Sequence, residues 1–121
     1  MEIIQDSPYI LHICLPEDWT KTKTQREYKP SSLDTDGFIH CSSPHQILQV
    51  ANTFYHGNAK LYLLWINPSK LKAPLKWEIS GDQSFPHIYG SLNLDAVDAV
   101  YNFRPDQDMV FRIIPGLSDH V

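Results

Sequence analysis

Residues 60–66 read Lys-Leu-Tyr-Leu-Leu-Trp-Ile, a nearly continuous apolar run with no polar face to turn toward water. Such a run fits a central strand buried on both faces, with packed material above and below it. Its apolar part is also the longest such stretch in the chain, far short of the roughly 20 residues a membrane-spanning helix requires. The fold has to be built around this strand.

The flanking segments supply neighbours. Residues 9–14 (YILHIC) alternate, with Ile10, His12 and Cys14 on one face and Tyr9, Leu11 and Ile13 on the other. Residues 37–41 form a second strand in which Phe38 and His40 share a face. Residues 75–79 place Leu75, Trp77 and Ile79 opposite Lys76 and Glu78. Residues 85–89 (FPHIY) group Phe85, His87 and Tyr89, and Pro86 argues for an edge strand or a bulge. After a helical turn at residues 94–96, residues 97–103 alternate again, and residues 109–113 are expected to close a C-terminal hairpin.

The clearest helix signal is Ser43-Pro44-His45-Gln46, which fits a capping box: Ser43 as N-cap, Pro44 at the first helical position, Gln46 reaching back. Ile47, Val50, Ala51 and Phe54 follow at helical spacing and Gly57 is placed to stop the chain, so a main helix is expected over about 44–56. Pro16 followed by Glu17 and Asp18 predicts one short helix over residues 16–23. Residues 24–36 read as an irregular loop. These elements make one α+β domain spanning 1–121; their spacing is too tight for repeated βαβ units.

The net charge of −4 and the scattered basic residues argue against DNA and against RNA, since an extended nucleic-acid interface needs a cationic footprint. A small anionic ligand held at one point remains compatible. The N-terminus lacks the basic start and apolar core of a signal peptide, so a cytoplasmic protein is expected, with no membrane association and with Cys14 and Cys41 as buried reduced thiols.

His12, His40 and His87 each lie on a short strand beside an apolar or aromatic neighbour. A single histidine so placed is more often a satisfied core residue than a catalyst. Three together point to a shared cleft, because each buried imidazole needs a partner for both ring nitrogens. Ser42 and Ser43 stand where a helix N-terminus would offer backbone donors to an anion, although Ser43 can equally cap its own helix and bind nothing. Glu78 sits among large apolar residues; it is either solvated or turned toward the imidazoles, where it could orient a nucleophile or hold a sugar hydroxyl. A metal site is not expected: His12 and Cys14 share a face, but no pair has a recognised close-ligand spacing.

The segments YILHIC, DGFIHCSSPHQILQVANTFY, LYLLWINPSKL, LKWEI and FPHIYGSLNLDAV resemble, in that order, the small bacterial family known as domain of unknown function 952, with GFIHCS and FPHIYG the most specific. That family is similar in fold to the ADP-ribosyltransferases and to the RNA 2′-phosphotransferases. The resemblance implies a split, mostly antiparallel sheet clasping NAD in a central cleft. NAD would be a substrate, with no cofactor tightly bound. It implies His12 at the nicotinamide ribose and His40 with Ser42 at the pyrophosphate or amide. It also implies a late-strand glutamate, whose position falls on His87 unless Glu78 substitutes from the neighbouring strand. With Tyr89 completing the cleft, the first expectation is a transferase acting on NAD, ADP-ribose or another phosphorylated nucleotide. The alternative is a non-catalytic module of the same fold that senses a nucleotide or binds a protein.

Overall fold

The computed structural model describes residues 8–120; the reading of the N-terminal residues as leaderless lies outside them. The apolar run forms β4 (Leu61–Ile66), the middle strand of an antiparallel sheet between β1 (Ile10–Cys14) and β8 (Val97–Phe103). Its alternating side chains feed a separate apolar cluster on each face. Leu64 and Ile66 pack with Ile10, Cys14, Tyr28, Ile39 and Ile88. Leu63 and Trp65 pack with Leu11, Ile13, Ile47, Ala51 and Phe111. A strand serving two cores can carry no polar face, which is why the run is continuous.

A second antiparallel sheet has the order β3 (Ile39–His40), β6 (Gln83–Ile88), β5 (Leu75–Ser80). A small third sheet pairs β2 (Glu27–Tyr28) with β7 (Leu92–Asn93). The first two sheets are stitched together where the chain leaves β3. Leu11 N–H donates to the Ser42 carbonyl at 2.7 Å, and Ser42 N–H donates to the Leu11 carbonyl at 2.8 Å. This places the end of β3 directly beside β1. Among the described residues no helix is long and apolar enough to cross a membrane.

Several expectations are corrected. β6 is the middle strand of its sheet rather than an edge, despite Pro86. The Pro86 carbonyl accepts from Cys41 N–H at 3.1 Å, so its backbone faces β3. The bond it cannot return falls where β3 ends and the chain crosses to β1, so the cost of the missing donor is small. Residues 109–113 form no strand. The side chain of Asn52 takes the strand partner's role there, donating to the Phe111 carbonyl at 2.9 Å and accepting its N–H at 2.7 Å.

The first helix is broken at Lys21 into α1 (Pro16–Thr20) and α2 (Thr22–Gln25), the latter stopped by Arg26 in a left-handed conformation (φ 60°). The expected loop at 24–36 contains β2 and α3 (Ser32–Thr35), and its Tyr28 is fully buried. The main helix, α4, is shorter than expected, Ile47–Phe54, because residues 43–46 form a turn ahead of it. A last short helix, α5 (Leu117–His120), stacks His120 on Trp65 with ring centroids 4.3 Å apart.

Candidate functional site

A cavity of about 630 Å³ lies between the two larger sheets. β1 and α4 give it an apolar side, with Leu11, Ile13, Ile47, Val50 and Phe54. The β3–β6–β5 sheet gives it a polar and aromatic side, with Phe38, His40, Glu78, His87 and Tyr89. Ser42 lines it at the junction between the sheets, and no lining residue is a lysine or arginine.

Strand register explains the polar side. Ile39 pairs with Ile88 and His40 with His87, so Phe38, His40, His87 and Tyr89 emerge on one face. β5 adds Glu78 opposite Phe85 on that same face. From there Glu78 lies diagonally across from His87, within reach of a long side chain. The His87 Nδ1–H donates to Glu78 Oε1 at 2.8 Å, and the Tyr89 hydroxyl donates to the same oxygen at 2.5 Å. Both bonds favour the ionised carboxylate. The Tyr89 hydroxyl, followed by the His87 ring, holds the Glu78 carboxyl below its usual range, while Glu78 raises the Tyr89 phenol.

With Nδ1 carrying the proton, His87 Nε2 keeps its lone pair, and no protein group among the described residues hydrogen-bonds it. Phe38 stacks on the His87 ring with centroids 4.0 Å apart and planes 21° off parallel, fixing its orientation. A carboxylate-anchored imidazole with a free second nitrogen can accept a proton.

His40 is exposed, and its Nε2 pairs with Asp36 Oδ2 at 2.7 Å. Its ring lies 5.5 Å, centroid to centroid, from that of His87. His12, expected to open into the same cleft, lies beneath it on the other face of β1. Its Nδ1–H donates to the His40 carbonyl at 2.6 Å, and its Nε2 accepts from the Tyr28 hydroxyl at 2.7 Å. Burial pushes its pKa down to about 4, so the ring is neutral, with both nitrogens committed to the protein. The three histidines therefore divide: His40 and His87 in the cleft, His12 supporting the strand that carries His40.

The capping box is half formed. Gln46 Oε1 does reach back to Ser43 N–H at 3.0 Å, but the Ser43 side chain caps nothing, and the first helical residue is Ile47. Gln46 Nε2 instead donates to the Ser84 carbonyl at 2.7 Å, tying the start of α4 to β6. The anion donors expected at residues 43–46 are largely spent: Ser43 N–H goes to Gln46, Gln46 N–H goes to the Ser43 carbonyl, and Pro44 has none. Ser42 remains in the cleft; Ser43 does not line it.

Sequence reasoning missed Tyr28, Asp36 and the stacking role of Phe38. Asp36 lies four residues before His40, but it falls at the end of a segment whose polar, turn-rich sequence reads as loop. Tyr28 carried no signal, since nothing local marks a tyrosine that reaches a distant imidazole. No group of three or more His, Cys, Asp or Glu side chains among the described residues is placed to hold a metal ion. Cys14 and Cys41 are free and buried, and burial pushes the Cys14 thiol up to about 12, which makes it a poor nucleophile.

Fold and site define a small, all-antiparallel α+β protein whose cleft sets an imidazole–carboxylate–phenol cluster against an apolar wall. Residues 13–100 match the family described as Protein of unknown function (DUF952), and the chain belongs to that family. It is similar to the crystal structure of protein CC0527 from Caulobacter crescentus, with 32% identity and a TM-score of 0.79 over 93% of this chain and 96% of that one. The solution NMR structure of CC0527 agrees, with 34% identity and a TM-score of 0.74 over 94% and 97%. No curated protein matches the chain.

Proposed function

We propose that the cleft binds a nucleotide of the NAD or ADP-ribose class and transfers its ribosyl group, in the manner of the ADP-ribosyltransferases. The observation that carries this reading is Glu78. A cleft carboxylate is anchored through Oε1 by His87 and Tyr89, and its Oε2 has no hydrogen-bond partner among the described residues. It supplies from β5 the glutamate that the FPHIYG strand lacks.

In this reaction the glycosidic C1′–N bond of NAD breaks and nicotinamide departs with the electron pair. Positive charge develops on the ribose, and the ionised Glu78 carboxylate would stabilise it electrostatically. The acceptor hydroxyl attacks C1′ and passes its proton to His87 Nε2. Ser42 and the exposed edge of His40 would take the amide or the first phosphate. Because no lysine or arginine lines the cavity, the diphosphate would lie toward solvent and add little affinity.

One observation favours a non-catalytic nucleotide-sensing module: Asp36 already occupies His40 Nε2. Calorimetric titration with NAD, ADP-ribose and AMP, followed by a nicotinamide-release assay, tests both readings. Binding with release supports the transferase, and binding without release supports the sensor. No binding of any of them at millimolar concentration removes the nucleotide reading altogether.

A further inference from the structure

The β5 strand ends its sheet, and among the described residues no other strand pairs with its outer side. The direction of its free backbone groups follows from Pro86. The Pro86 carbonyl faces Cys41 on β3, so Trp77, directly opposite Pro86, belongs to a non-hydrogen-bonded pair. The N–H and C=O of Trp77 therefore point away from β6, to the open edge, and by alternation so do those of Leu75 and Ile79. The same stretch exposes two large apolar side chains, Trp77 at 53% and Ile79 at 81%, and Ile79 stands at the rim of the cleft. An apolar edge of this kind is an invitation to strand pairing.

The sequence of the edge is its own complement. In an antiparallel pairing of two copies about an axis at Trp77, Trp77 faces Trp77 and Leu75 faces Ile79. Lys76 of one copy then faces Glu78 of the other, in both directions. All three edge residues with outward backbone groups fall in hydrogen-bonded pairs, so the ladder closes without an orphan donor. A shift of the register by two residues would separate Lys76 from Glu78.

We propose that β5 is a self-association edge, through which a second copy of this chain pairs to make one continuous sheet across the two molecules. The pairing has a consequence for the site. Lys76, whose ammonium lies 4.7 Å from the centre of the Tyr89 ring in its own chain, meets the carboxylate-bearing Glu78 of the second copy. Each copy thus adds its Lys76 to the one that already lies beside the other copy's Tyr89 and Glu78.

Sedimentation velocity from about 1 to 100 µM, the range in which a small interface associates, should show a monomer–dimer equilibrium. Ile79→Lys and Lys76→Glu, both at exposed positions, should shift it toward monomer by tenfold or more in dissociation constant while circular dichroism stays native. Register is read by crosslinking. Trp77→Cys lies beside its own image, about 5.5 Å away between Cα atoms, within disulfide range, and should form a disulfide-linked dimer on mild oxidation. Ile79→Cys, whose image lies about 13 Å along the strand, should not. A wild-type monomer throughout the series, or a dimer indifferent to both charge-changing substitutions, overturns the proposal. Equal crosslinking at the two cysteine positions overturns the register.

Discussion

His87 and Glu78 are joined by a 2.8 Å hydrogen bond between neighbouring strands, diagonally across the face that lines the cleft. One carboxylate oxygen is fully used by His87 and Tyr89, which leaves the imidazole and the carboxylate each with one atom for a ligand.

The buried His12 makes stability depend on pH. Its pKa falls from 6.5 to about 4 in the folded protein, so between those values the unfolded chain binds a proton that the folded one refuses. Stability is complete above pH 6.5 and is lost as pH falls toward 4, by on the order of 3 kcal/mol in all. Urea denaturation of wild type and His12→Gln at pH 7 and pH 5 measures it; the wild-type midpoint should fall more than that of the variant.

Tyr28→Phe removes the donor to His12 Nε2 and leaves a buried nitrogen without a partner. The expected loss is about 1–3 kcal/mol, with the His12 pKa moving, visible by NMR titration of the ring protons. A stability unchanged from wild type would mean that Tyr28 serves only as packing.

At the start of α4 two substitutions should separate. Gln46→Ala loses bonds to Ser43 N–H, the Ser84 carbonyl and the Gln83 side chain, all at a buried position, and should cost about 1–3 kcal/mol. Ser43→Ala removes a side chain that caps nothing and should cost less than about 0.5 kcal/mol. Thermal denaturation of both variants decides it; the reverse order would restore Ser43 as the cap.

Periodicity made the strands legible. The unbroken run at β4 and the alternation of residues 97–103 gave the central sheet, and parity grouped Phe38 with His40 and His87 with Tyr89, while the register of β3 on β6 is what sets His40 beside His87. What stayed hidden depends on distant partners. Pro86 was tolerated in a middle strand because β3 ends beside it. The strand expected at residues 109–113 was displaced by one asparagine side chain on α4. His12 had the residue type and the alternation of a cleft residue, but its face was decided by Tyr28, from a segment with no periodic signal. Glu78 could be read either way until the pairing of β5 with β6 fixed its side.

The role of Glu78 is tested most directly by nicotinamide release from NAD, compared between wild type and Glu78→Gln. The substitution keeps the shape of the side chain and removes its charge. Wild type should release nicotinamide measurably and the variant should lose about 100-fold or more in kcat, with ADP-ribose binding changed far less. Release at the same rate in both proteins would contradict the role given to Glu78, and absence of release from wild type with NAD bound would contradict ribosyl transfer itself.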